Sequence, residues 1–108
     1  MIEGFWILTI LPPPVSSGGV AIFINGKVFG GDNGFTWVGS YNVRDQLLKA
    51  RVRVHNFDPD IKSILALDGD YDMHISGAVH GNSISGTAMV ANQPQHSLAI
   101  RLEKRAEL

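Results

Sequence analysis

The chain has 108 residues, 44% of them hydrophobic, a formal net charge of −1 and no cysteine. That length suits one domain over 1–108 and leaves no room for a second core, and the near-neutral charge offers no global field for nucleic acid or an acidic membrane. The lack of cysteine excludes disulfides and thiol catalysis, weakens any zinc site, and fits a reducing cytoplasm, the expected location.

Residues 1–11, MIEGFWILTIL, are apolar but lack a basic leading region and a small-residue cleavage site. They read as a buried strand over 4–11 and not as a signal peptide. No apolar run approaches the roughly 20 residues that a membrane-crossing helix needs. Pro12, Pro13 and Pro14 cannot donate ladder hydrogen bonds, so they end the strand, and 14–18 reads as a loop. Asn25-Gly26 then sits between two apolar runs, 19–24 and 27–30. This is the strongest short-range signal for a two-residue β-hairpin. A type I′ turn needs positive φ at both central positions, which Asn tolerates and Gly accepts freely.

A second break, Gly30-Gly31-Asp32-Asn33-Gly34, leads into a strand over 35–41 that puts Phe35, Trp37, Gly39 and Tyr41 on one face. Alternation is clearest over 46–57. Leu48, Ala50, Val52 and Val54 point one way, and Lys49, Arg51, Arg53 and His55 the other. Residues 56–70 are the least regular. Asp58-Pro59 resembles a helix N-cap followed by proline at the first helical position, and Ile61, Ile64 and Leu65 have helical spacing. A single helical turn is expected there, ended by a turn at Asp68-Gly69-Asp70. Three further strands follow over 71–79, 83–90 and 97–104. Gly81-Asn82 turns the first pair, and 92–95, with Pro94, turns the second. The charged tail 104–108 is expected to fray.

About eight short strands joined by tight turns suit a sandwich or a barrel. Hairpin follows hairpin with no long crossover, and glycine recurs inside strands at Gly39, Gly77 and Gly86, where a sharply curved sheet needs bends or close approach. Closure also removes exposed edges. The expected fold is therefore all-β, a small antiparallel up-and-down barrel.

Catalytic and metal chemistry is not written in these residues. His55, His74, His80 and His96 have no i, i+4 helical pairing and no cysteine nearby, and read as surface histidines. The run from Asp68 to Asp72 lacks the oxygen ligands and terminal glutamate of a calcium loop and reads as a turn. Lys49, Arg51 and Arg53 form a basic row that could follow a phosphate backbone. It has no interleaved aromatics, so cross-strand pairing or a solvated face is the simpler reading, and nucleic acid is not expected. No serine sits in a nucleophile-elbow context, and no glycine-rich segment precedes a helix. No cofactor is expected, and an enzyme would require histidines and aspartates to converge at a barrel mouth.

Gly4-Phe5-Trp6 is similar to the short G-x-W element of lipocalin-like barrels, in which the tryptophan plugs one end and a late arginine stacks across it. Arg101 is the candidate partner of Trp6 through a cation–π contact; simple core packing of Trp6 is the other reading. The run 19–32, with its Asn25-Gly26 turn and Gly30-Gly31-Asp32, together with Gly39, Tyr41 and the strand opening Asp70-Tyr71, resembles the GrlR-like family. Those proteins are negative regulators of type III secretion (the global regulator of LEE repressor). The resemblance implies a lipocalin-like eight-stranded barrel that dimerises, has no enzymatic activity, and binds and inhibits a transcriptional activator. An acidic cluster just after the fourth strand is linked to that binding in the characterised member. The matching place here, Asn42-Val43-Arg44-Asp45-Gln46, has one acid and one base. Asn42, Arg44, Asp45 and Gln46 are carried over as a contact loop.

Two functions follow as expectations. The first is a protein-binding negative regulator, with Ile2, Phe23 and Phe29 as candidates for a dimer patch. The alternative is a carrier of a lipid or other small apolar ligand. Gly39, Gly77, Gly86, Ala50 and Ala88 are small inward candidates that could leave room, Phe35, Trp37, Tyr41 and Met73 could line it, and large residues on facing strands could instead fill it.

Overall fold

Eight strands follow one another along the chain in a computed structural model that describes residues 2–11, 18–63, 65, 67 and 69–108. They are β1 (Gly4–Leu11), β2 (Gly18–Ile24), β3 (Lys27–Gly31), β4 (Phe35–Arg44), β5 (Leu47–Asn56), β6 (Tyr71–His80), β7 (Ser83–Val90) and β8 (Gln93–Ala106). Each pairs antiparallel with the next, and β8 returns to pair with β1, so the sheet closes into a barrel. The expected all-β, up-and-down, lipocalin-like architecture is what the chain adopts. The proline triplet, most of the loop expected over 14–18, Ile64 and Asp68 lie outside the described residues.

Alternating strand direction sorts the connections between two ends. Asn25-Gly26, Asp45-Gln46 and Gly81-Asn82 turn at one end, beside the start of β1 and the finish of β8. The connections 32–34, 57–70 and 91–92 lie at the other. At the first end Asn25 has φ 50° and Gly26 φ 75°, the two left-handed positions of a type I′ turn. The Glu3 carboxylate accepts the Asn25 amide at 2.7 Å and ties this turn to the N-terminus.

Several boundaries differ from expectation for identifiable reasons. β4 runs on to Arg44 because Asp45 (φ 54°) and Gln46 (φ 63°) make a tight left-handed turn without any glycine. The 42–46 segment is thus a strand end and a hairpin tip, not a loop. β8 begins at Gln93, so Pro94 lies inside it and the turn is Ala91-Asn92. Pairing steps from Val90↔Gln93 to Met89↔Ser97, and this irregularity absorbs a residue that cannot donate to the ladder. The helical turn expected near Asp58-Pro59 is absent: no helix occurs among the described residues, so none there could cross a membrane. The Asp58 side chain accepts the Asp60 amide at 3.0 Å, and the Ile61 amide closes onto the Asp58 carbonyl at 3.0 Å. The aspartate caps one turn and stops.

The core follows the period-two pattern. On β5, Leu48, Val52 and Val54 are buried while Lys49, Arg51, Arg53 and His55 are exposed. Trp6 and Ile84 have no exposed surface, and Leu48, Val90, Phe23 and Leu102 nearly none. Trp6 closes the turn-rich end. Its indole Nε1 donates to the Ile2 carbonyl at 2.8 Å, and its ring meets Phe23 edge-on at 6.0 Å. Phe23 meets Tyr41 in the same way at 5.0 Å. Gly39 lets β4 pass close to β5, because a Cβ there would overlap the Arg51 carbonyl. Alanine at Gly39 should therefore destabilise the barrel by about 2 kcal/mol or more. Alanine at Gly69, where no atom lies within 4 Å, should cost only its left-handed φ, about 1 kcal/mol. Thermal unfolding followed by circular dichroism should rank the two in that order, and equal losses would contradict the close approach at Gly39.

Candidate functional site

The inward side chains do not fill the barrel. Above the Phe23–Trp6 floor lies a cavity of about 310 Å³. Its walls are apolar: Leu8 and Ile10 from β1, Phe35 and Trp37 from β4, Val52 and Val54 from β5, Met73 and Ile75 from β6, and Leu98 and Ile100 from β8. Ala50 on β5 and Ala88 on β7 pair with opposite sides of Ile75 and supply the missing bulk. The Trp37 ring is fixed because Nε1 donates to the Val20 carbonyl at 3.1 Å.

The mouth is at the end opposite Trp6 and is crossed by the β5–β6 connection. Ile61, Lys62 and Ser63 from this strap line the cavity, with Asp32 and Asn33 from the β3–β4 turn. The strap is tied to the β3–β4 turn and to the end of β5. The Phe57 amide donates to the Gly34 carbonyl at 3.0 Å, and Asn56 Nδ2 donates to the Ile61 carbonyl at 2.9 Å. Ile61 presses on the bare backbone of Gly34. Asp32 Oδ1 accepts the amides of both Gly34 and Phe35 at 3.0 Å and shapes the turn beneath. Ser63, 9% exposed, sits 3.1 Å from the Tyr71 hydroxyl and accepts the Leu65 amide at 3.1 Å. Asn56 Oδ1 is buried without a hydrogen-bond partner among the described residues.

The far foot of the strap is held by charge. His55 Nδ1 lies 3.0 Å from Asp70 Oδ1, which also accepts the Asn56 amide at 3.2 Å. The His55 hydrogen bond, aided by that amide and by Arg53, holds the Asp70 carboxyl below its usual range against a smaller desolvation effect. At the other end of the barrel, burial pushes the Tyr41 phenol up, with Glu3 adding to the effect and the Gly26 backbone opposing it.

Phe35, Trp37 and Met73 line the cavity as expected, but Tyr41 does not; it packs below the floor against Phe23. Ala50 and Ala88 leave room, whereas Gly39, Gly77 and Gly86 do not line the space. Their missing side chains admit neighbouring atoms: the Arg51 carbonyl at Gly39, Ile84 at Gly77 and the Ser76 carbonyl at Gly86. Arg101 does not cover Trp6. It lies between inward Ile100 and Leu102, half exposed, with Nε 3.6 Å from Glu103 Oε1. The residue paired with Trp6 across the closure is Lys104, whose side chain is 8% exposed and lies over Gly4, with Nζ 2.8 Å from Glu107. Ile2 and Phe23 are core residues, so of the suggested dimer patch only Phe29 faces out.

Asn42, Arg44 and Asp45 share a shallow surface depression with Val43, Leu47 and Lys49, and Gln46 lies beside it with its carbonyl accepting the Val79 amide. The basic row on β5 meets polar partners on β6: Lys49 with Ser76 at 3.1 Å, Arg51 with His74 at 3.3 Å and Arg53 with Asp72 at 3.2 Å. Among the described residues, no three His, Asp or Glu side chains gather into a cation site. Lys62 and Ser63 went unnoticed in the sequence as site residues; the Asp58-Pro59 punctuation was the only signal that this stretch does something other than link strands. No protein-family model matches the chain, and no curated protein matches it.

The low-lying Asp70 carboxyl has a signed consequence. A group whose acidity is strengthened by folding stabilises the fold above the ordinary carboxylate range, and that contribution disappears as pH falls through the depressed folded value. Acidification through that window should lower the thermal midpoint more steeply in the wild type than in Asp70→Asn. Parallel pH profiles would mean that the His55–Asp70 contact adds nothing.

Proposed function

We propose that this barrel binds a small apolar molecule in its interior. The observation that carries the reading is the cavity of about 310 Å³, with Phe23, backed by Trp6, at its floor and a strap at its mouth. Ligand pockets begin at about this size, and small barrels of eight strands either fill with side chains or hold one ligand. Keeping such an apolar space open forgoes the packing contacts that a filled core would make. Larger residues at Ala50 or Ala88 would supply those contacts, and the chain carries alanine at both. An apolar guest recovers the lost contacts when it enters.

A neutral fluorophore such as 1-aminoanthracene should bind with one-to-one stoichiometry and quench Trp37. Ala88→Leu should weaken that binding by about tenfold while keeping or raising the thermal midpoint, because it fills space instead of crowding it. Failure of the fluorophore to saturate, or a destabilised Ala88→Leu protein, would defeat the reading.

A second reading has its own support on the outside of the same barrel. Phe5, Ile22, Phe29 and Val38 form one row across β1 to β4, and Phe29 and Val38 are 44% and 46% exposed. The row's continuation on β5 and β6 is Arg53 and Asp72, an ion pair. Along this row the wall is apolar on β1–β4 and charged on β5 and β6. An apolar wall of this kind suits a protein contact. It agrees with the GrlR-like resemblance, which implies a homodimer that restrains a transcriptional activator. Here the contact is assigned to the β1–β4 wall instead of the 42–46 hairpin, whose single acid and single base do not make an acidic cluster. In sedimentation velocity the wild type should run as a dimer, and a Phe29→Glu, Val38→Lys double variant as a folded monomer. A monomeric wild type would remove the dimer from this reading.

A further inference from the structure

We propose that the guest is a single-chain amphiphile with a monoanionic carboxylate head, held by Lys62 at the mouth. This rests on the cavity-binding reading and adds the chemistry of the ligand to it.

Polarity in the cavity is confined to one end. Every lining side chain from the strand interior down to Phe23 is apolar, whereas Asp32, Asn33, Lys62, Ser63 and Tyr71 gather at the strap. A molecule matching that gradient is apolar over most of its length and polar at one end. At roughly 30 Å³ for each water-sized group, the space accommodates on the order of ten heavy atoms.

The sign of the head follows from what the polar groups can still do. The two charged liners are Asp32 and Lys62. Asp32 Oδ1 is already taken by two backbone amides in the β3–β4 turn. Among the described residues, Lys62 has no carboxylate within ion-pair distance, and its ammonium is a donor only. Ser63 and Tyr71 point the same way by proton count. The pair holds two hydroxyl protons and shares one hydrogen bond at 3.1 Å, so one O–H remains to donate. Ser63 Oγ is meanwhile occupied as an acceptor by the Leu65 amide. The mouth therefore carries one charge of each sign, but the Asp32 carboxylate is engaged by its own turn amides, whereas among the described residues the Lys62 ammonium faces no carboxylate and has an unused O–H donor near it, which fits an acceptor-rich head with a single negative charge. A dianionic phosphate would leave one charge unmatched.

The test is displacement of bound 1-aminoanthracene, a neutral probe, by decanoate, decanol and decylamine at neutral pH and low salt. Decanoate should displace about fivefold better than decanol, a modest factor because Lys62 reaches solvent, and decylamine should be worst. Lys62→Met should bring decanoate down to the level of decanol measured in the same variant, Lys62→Arg should keep the preference, and Tyr71→Phe should reduce it. Added salt should narrow the gap in the wild type. If decanoate is no better than decanol in the wild type, or its advantage survives in Lys62→Met, the carboxylate assignment falls while probe and decanol binding leave the cavity reading standing. If neither the probe nor any C10 compound binds, the cavity reading falls and takes the assignment with it.

Discussion

The pairing of β1 with β8 is the contact on which everything else in this molecule depends. Strands seven elements apart in the chain meet over Phe5↔Ala106 to Leu11↔Ala99, and only then does the sheet have an inside. A sheet of the same strands left open would have two edges to protect and no enclosed space. Closure turns a period-two pattern, which in isolation distinguishes only two faces, into an interior and an exterior. It also brings the end of the chain beside its start, so that Lys104 sits opposite Trp6 and the turn-rich end is sealed. The open end is left to the longer connections.

Much of this arrangement can be read from residue order, and the failures are instructive. Asn25-Gly26 and the β5 alternation declare themselves because the physics is local: left-handed φ at two adjacent positions, and opposite directions for successive side chains. Asp45-Gln46 makes the same left-handed turn without the usual glycine, because the long β4–β5 ladder on one side imposes it. Pro94 reads as a turn residue but is taken up by an irregularity in β8. Asp58-Pro59 reads as a helix start, yet its carboxylate caps one turn and the strap goes no further in that direction. Likeness to the G-x-W element of lipocalin-like barrels points to Arg101 as the partner of Trp6, whereas register determines which β8 residue faces it, and that is Lys104.

The candidate site was legible in part for a related reason. Phe35, Trp37 and Met73 lie on inward positions that alternation identifies. Whether the middle of the barrel is full or hollow depends on which residues share a level across distant strands, and that is a property of register. Ala50 and Ala88 flank Ile75 at one such level and leave room. The interior glycines looked equally spacious on paper, but they mark places where strands press together. Lys62 and Ser63 had no periodicity to betray them, because the strap that carries them is not a strand. Two distinct surfaces result: an apolar lumen with one polar rim, and an outer wall on which the row Phe5, Ile22, Phe29 and Val38 gives way to the ion pair of Arg53 and Asp72.

The strap across the mouth has a kinetic implication. Ile61, Lys62 and Ser63 stand in the doorway, held by Asn56, by Gly34 and, at the far foot, by His55 and Asp70. A guest passes the same fastened residues on the way in and on the way out, so a tighter fastening that leaves Lys62 untouched slows both passages alike. How long a molecule stays would then depend on a few hydrogen bonds at the threshold, while how tightly it is held would depend on the walls and on Lys62.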